Sequence, residues 1–292
     1  MISFIKKHLN KIGSLLALCG VLFLGIKLHT YSANISFNLI PIEKWCLFIL
    51  LTLAYGILCL LNAISWKYNL KHCHVTIKTL DSVSIYGVSQ LAKYLPGNVF
   101  QFAGRQALGM ANKINAKALV KSTFWELVLL CLGGAILSTL MITILTPFFT
   151  PASAIIATII FIAIYLTLLK HFTSIQLAKA AFINLAFTLI SGVSFLLLLK
   201  ILNFPIGNLQ GHEVVGAYIL AWLIGLITPG APAGVGIREV ILLYLFKDAI
   251  SNEDLLLTVL LGRVMTVSGD FIFYVIALIC GYIKKSRSIN NA

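Results

Sequence analysis

Arg105, Glu126, Arg238, Glu239, Arg263 and Asp270 stand inside otherwise apolar stretches of the chain. A charge at membrane depth costs roughly 2.5–3.5 kcal/mol or more, and as a rule it faces a protein interior or a wet cavity. A guanidinium is planar and bonds two oxygens of one phosphate at once. Arg105, Arg238 and Arg263 are therefore candidate ligands for the phosphate of a substrate. Glu126, Glu239 and Asp270 can balance those cations or carry a coupling proton. The alternative is that all six form structural ion pairs. Arg263 and Asp270 lie seven residues apart, about two helical turns, and so share a helix face. About 10 Å of axis separates them, so Asp270 reaches Arg263 only through a neighbouring helix or water.

Arg105 and Arg238 each follow a Pro-Gly step by the same interval. Pro96 precedes Arg105 by nine residues, and Pro229 precedes Arg238 by nine. Gly104 and Gly236 sit one and two residues before the two arginines. Leu95-Pro96-Gly97-Asn98 interrupts the apolar stretch Val83–Met110. Thr228-Pro229-Gly230-Ala231-Pro232-Ala233-Gly234 interrupts Val214–Phe246. Proline removes a backbone donor and glycine weakens a helix, so each stretch should be two short helices joined by a turn. The turn residues are Pro96, Gly97, Pro229, Gly230, Pro232, Gly234 and Gly236. Val83–Leu95 and Val99–Met110 are each too short to cross a bilayer. Unwound backbone at membrane depth must be buried in protein or line a wet cavity. Helix N-termini at such turns favour anions. Asn98 and Gln101 can hydrogen-bond a polar substrate or satisfy freed backbone groups. Lys93, just before the first turn, reads as snorkelling to the cytoplasmic surface rather than as a ligand for a headgroup.

The elements that hold these residues belong to a membrane. Of 292 residues, 60% are hydrophobic and 11% charged, against about 45–50% and about 25% in ordinary globular chains. Mean hydropathy is +0.99. Six segments approach the roughly 20 apolar residues that a span needs: Ile12–Leu28, Trp45–Trp66, Ser122–Leu145, Ser153–Leu169, Ala180–Leu202 and Leu255–Tyr282. The first is basic at its start (Lys6, Lys7, Lys11) and reads as a retained helix rather than a cleaved signal.

A net charge of +13 suggests nucleic acid, but the cations lie between apolar runs and form no basic domain. The positive-inside rule accounts for them and puts both termini in the cytoplasm. Lys78 and Lys113 then place both ends of the first interrupted stretch inside. Glu213, Asp248, Glu253 and Asp254 around the second place its ends outside. The expected fold is an all-α polytopic protein of about six spans and two re-entrant helical hairpins. It forms one membrane domain over residues 1–292, with inverted repeats of approximately 10–148 and 149–283. Broken helices in inverted repeats are a transporter architecture.

Catalytic and metal motifs are lacking. The six cysteines form no CxxC. His72-Cys73-His74 reads as an interfacial segment rather than a metal site. No GxSxG, Walker A, HExxH or GxGxxG occurs, so no cofactor, no metal and no enzymatic activity are expected. Gly133-Gly134 and Ser191-Gly192 read as close helix packing.

The run Leu91-Ala92-Lys93-Tyr94-Leu95-Pro96-Gly97-Asn98-Val99-Phe100, with Gly104-Arg105 and Glu126, resembles a signature of the lysylphosphatidylglycerol synthase/flippase transmembrane family. Pro229-Gly230-Ala231-Pro232-Ala233-Gly234-Val235-Gly236-Ile237-Arg238-Glu239, with Arg263 and Asp270, resembles its second signature. The similarity extends from about residue 10 to 282. It implies a multi-span domain of the bacterial cytoplasmic membrane that handles lipids. The chain shows no soluble aminoacyl-transferase domain, so a stand-alone member that is not a synthase is expected. The leading function is a flippase for an anionic lipid, either a phospholipid or a polyprenyl-phosphate-linked sugar. The alternatives are a non-catalytic partner of a neighbouring glycosyltransferase or synthase, and an intramembrane lipid-linked transferase. A homo-oligomer is a further expected partner state, and nucleic acid is not a partner.

Overall fold

Eleven α-helices and two short 3-10 turns make up the described part of the chain, with no strand among the described residues. The computed structural model describes residues 41–95, 99–146, 148–204, 206–228, 234, 236–247 and 249–290. The expected first span Ile12–Leu28 lies outside them, as do Pro96, Gly97, Asn98, Pro229, Gly230 and Pro232.

The helices, in order, are α1 (Ile42–Leu58), α2 (Leu60–His72), α3 (Thr79–Gln90), α4 (Phe100–Ala111), α5 (Ala116–Ser138), α6 (Ile142–Leu145), α7 (Pro151–Phe172), α8 (Ile175–Leu202), α9 (Gly211–Ile227), α10 (Ile237–Phe246) and α11 (Asn252–Asn290). A 3-10 turn, Leu91–Tyr94, extends α3, and another, Thr139–Met141, joins α5 to α6. Polar caps fix several starts. Asn115 accepts from the Lys117 amide at 2.8 Å, and Ser174 from the Leu177 amide at 3.2 Å. Thr150 accepts from the Ser153 amide, with Pro151 in the first turn of α7. Each cap satisfies a donor that the helix itself cannot.

Five helical stretches are long and apolar enough to cross a membrane: Ile42–His72, Ala116–Leu145, Pro151–Phe172, Ile175–Leu202 and Asn252–Lys284. They contain the second to sixth spans expected from the sequence, each with wider bounds. On α7, Ile156, Ile159, Ile160, Phe161 and Ile164 are all exposed. Such a continuous apolar face suits lipid rather than water. The chain is a multi-pass membrane protein, all-helical among the described residues.

The interrupted stretches differ from the spans in length. α3 and α4 have 12 residues each and α10 has 10. At 1.5 Å per residue these are roughly 15–18 Å long, well short of a bilayer core of about 30 Å. α9, at 17 residues, is the longest arm.

The packing has a reciprocal form. α3 lies along α11, and α9 lies along α5, while α2 lies along α8. Each interrupted stretch thus sets its first arm on a long helix from the other half of the chain. Glycine makes these approaches close. A Cβ at Gly87 of α3 would stand 2.5 Å from the Ala277 Cβ of α11, and one at Gly269 of α11 would stand 2.6 Å from the Tyr55 ring. Gly133 meets Leu185, Gly134 meets Leu223, and Gly192 meets Val215 and Ile219. The glycines of both pairs singled out in the sequence therefore sit at helix contacts, where small residues let backbones approach.

Candidate functional site

A cavity of about 120 Å³ lies between the two interrupted stretches, walled by α1, α2, α3, α4, α5, α8, α9, α10 and α11. One water needs only about 10–15 Å³ on this measure, so a group much larger than water fits. Its wall carries a set of charged and polar side chains among apolar ones: Lys93, Gln101, Glu126, Arg238, Arg263 and Asp270 all line it, with Tyr86, Tyr94, Tyr55 and Tyr218.

Three ion pairs frame it. In the first, Arg105 on α4 meets Glu126 on α5, both buried. The other oxygen of Glu126 accepts from the Tyr86 hydroxyl at 2.8 Å. The Arg105 guanidinium lies 3.7 Å from the Tyr86 ring centroid, with the Trp66 and Phe102 rings at 5.7 Å. A desolvated guanidinium gains from aromatic faces as well as from its carboxylate. Arg105 itself is not among the residues that line the cavity; Glu126 and Tyr86 stand there in its place.

The second pair joins Lys93 to Asp270. The Lys93 Nζ is 2.6 Å from the Asp270 Oδ2, and the Tyr94 hydroxyl donates to the same carboxylate. This corrects the reading of Lys93 as a surface-seeking side chain. The 3-10 turn rotates Lys93 and Tyr94 onto α11, and a fully buried carboxylate holds the ammonium inward. An unpaired Asp270 at that depth would cost several kcal/mol, and this cost outweighs hydration of one lysine at the surface.

The third pair joins Arg263 of α11 to Glu239 of α10. Arg263 Nε donates to Glu239 Oε1 at 3.1 Å, and Nη2 donates to the Gly234 carbonyl at 2.8 Å. Arg263 and Asp270 share α11 but not a partner. One is bound by the second interrupted stretch and the other by the first.

Arg238 differs from these three cations. Among the described residues no carboxylate lies within 4.0 Å of it and no hydrogen bond reaches it; its Nε is buried without a partner. Local backbone explains its position. Gly234 and Gly236 have φ of +69° and +87°, a region that disfavours side chains. They turn the chain sharply into α10, and Gly225 of α9 packs against both Gly234 and Arg238. A Cβ at Gly225 would stand 3.3 Å from the Arg238 Cγ. Two glycines thus make room for the guanidinium beside α9.

Gln101 is buried and lines the cavity. Gln90, also in the wall, has a buried Oε1 without a partner. Tyr86, Gln90 and Tyr94 also stand in the wall and are not among the residues expected from the sequence. Their spacing of four was the available signal, because it puts all three on one face of α3 and its extension.

No family model matches the chain, and no curated protein matches it. The resemblance therefore rests on the two motif runs alone.

Proposed function

We propose that the chain is a flippase that moves an anionic lipid between leaflets, with the phosphate held in the central cavity. One observation carries this: Arg238, a cation without a counter-ion among the described residues, lines a cavity in an apolar, membrane-spanning bundle. A cation in that setting calls for an anion. Arg263 and Lys93 stand in the same wall, while the acyl or prenyl tails stay in lipid. Arg105 supports the site from behind, through Glu126 and Tyr86.

The short arms α3, α4 and α10 and the inward-facing charges support two re-entrant hairpins. The reciprocal packing of α3 on α11 and of α9 on α5 supports inverted repeats of approximately 10–148 and 149–283. Rocking of one repeat against the other gives alternating access to a site near the midplane. The setting is the bacterial cytoplasmic membrane, with both termini inside. The protein acts as a transporter rather than an enzyme, without a cofactor.

The test is lipid movement in proteoliposomes. Headgroup-labelled phosphatidylglycerol is reconstituted with the purified chain, and the outer leaflet is quenched with dithionite. Protein-dependent loss of the protected half, removed by Arg238→Gln in a folded protein, is the expected result. Unchanged movement in that variant rejects the site. No movement of any anionic lipid favours the other reading, a non-catalytic partner of a lipid- or glycan-synthesising enzyme.

A further inference from the structure

The charges in and around the cavity add up to a specific number. Lys93 is matched by Asp270, Arg105 by Glu126 and Arg263 by Glu239, one cation to one carboxylate each. Arg238 is left over. Among the described residues no other Lys, Arg, Asp or Glu lines the cavity, and the residues 96–98, 229–233 and 235 carry no ionisable side chain. The described site as a whole therefore holds one positive charge in excess.

Buried charge is tolerated when it is matched, and an excess of either sign is penalised in a medium of low dielectric. A ligand with one negative charge brings this site to neutrality. A ligand with two leaves an uncompensated anion, and one with no net charge leaves the excess positive charge of the site uncompensated. Opening the Lys93 or the Arg105 pair to serve a second charge would strand the buried carboxylate of Asp270 or Glu126.

From this balance we infer that the substrate is a monoanionic phosphodiester, not a phosphomonoester, a pyrophosphate or a zwitterionic lipid. The inference rests on the flippase reading and sharpens it. Two sources share this chemistry: a glycerophospholipid such as phosphatidylglycerol, and a polyprenyl-phosphate-linked sugar. The Arg238 guanidinium meets the phosphodiester oxygens. Gln101, in the same wall, serves the neutral part of the headgroup with its amide.

The experiment compares lipids that share a tail and differ in phosphate charge. Tail-labelled phosphatidylglycerol, phosphatidic acid and phosphatidylcholine are reconstituted with the full chain. A labelled polyprenyl-phosphate hexose and its pyrophosphate counterpart form a second set. Leaflet exchange is followed at pH about 8, where a phosphomonoester, with a second pKa of about 6, is doubly charged. The expected result is that at least one phosphodiester moves about tenfold faster than its more highly charged partner, the scale of one charged hydrogen bond. The set that moves identifies the source. Phosphatidylcholine should move no faster than phosphatidic acid. Arg238→Lys, which keeps the charge, should keep the order at a lower rate, and Arg238→Gln should abolish it. Equal or faster movement of phosphatidic acid or the pyrophosphate overturns the single-charge inference and leaves the flippase reading standing. Equal movement of phosphatidylcholine overturns it as well. No movement of any lipid overturns both. If Arg238→Gln does not fold, the order in the wild type and in Arg238→Lys still decides.

Discussion

The Nζ of Lys93 lies 2.6 Å from the Oδ2 of Asp270, and so ties the turn at the end of α3 to the interior of α11. Lys93 belongs to the first interrupted stretch and Asp270 to the last helix of the chain. The pair therefore joins two parts of the chain that are far apart in sequence at the wall of the cavity. Arg263 of the same helix fastens the second interrupted stretch through Glu239. α11 is thus the element to which both stretches are bound by charge.

Breaking this tie should be costly. Asp270→Asn strands the Lys93 ammonium against a neutral amide, and removing one partner of a buried pair costs about 3–5 kcal/mol. A clear fall in Tm in detergent is expected. The double variant Lys93→Met with Asp270→Leu should recover much of it. A single variant as stable as the wild type would show that the pair holds nothing together.

The two glutamates should differ in weight. The Glu126 side chain is 6% exposed and Glu239 is 22% exposed. Glu126→Gln leaves Arg105, 1% exposed, without a counter-charge. Glu239→Gln leaves Arg263 its bond to the Gly234 carbonyl. The fall in Tm should be larger for Glu126→Gln. Equal falls, measured in one detergent, would show that burial does not set the cost.

Gly234 and Gly236 separate backbone strain from crowding. Both have positive φ, so alanine at either costs on the order of 1 kcal/mol. A Cβ at Gly236 meets nothing within 4 Å, whereas one at Gly234 stands 3.1 Å from the Arg238 Nε. Gly234→Ala should therefore slow lipid movement several-fold more than Gly236→Ala, and should lower Tm further as well, since its Cβ also stands 3.0 Å from the Gly225 Cα. Equal rates in the two variants would remove Gly234 from the site.

Gly87→Val tests the packing that positions the cavity wall. The added side chain would begin 2.5 Å from the Ala277 Cβ, an overpacked contact of about 1–3 kcal/mol. A lower Tm is expected, with partial rescue by Ala277→Gly. An unaltered Tm would mean that α3 and α11 separate freely.

Cys73 reports on sidedness and on pH. It follows α2 beside Lys71, in a segment expected to be cytoplasmic. Burial pushes its thiol above the ordinary value, partly opposed by Lys121. The thiolate is the reactive form, so labelling should be slow at neutral pH and should accelerate as pH rises. An impermeant maleimide should reach Cys73 from the cytoplasmic face of the membrane alone. Labelling from the outer face would invert the topology.

Much of the fold is legible in the residue order. Spans such as Ile175–Leu202 and Asn252–Lys284 show themselves because apolar length is a local property that lipid reads directly. The breaks between α3 and α4 and between α9 and α10 are legible because proline and glycine act on their own backbone. The glycines at 234 and 236 mark the entry to α10 for the same reason. The sequence also identifies which ionisable residues stand at membrane depth. It does not identify their partners. Asp270 could have met Arg263 through a bridge, yet it takes Lys93 and Tyr94, and Arg263 takes Glu239. Pairing depends on which helices touch, and those contacts join residues far apart in the chain. That, among the described residues of the site, Arg238 is the cation left without a carboxylate follows only once the other three are matched. The tertiary structure decides it, because charge neutrality is a property of the assembled interior and of no single segment.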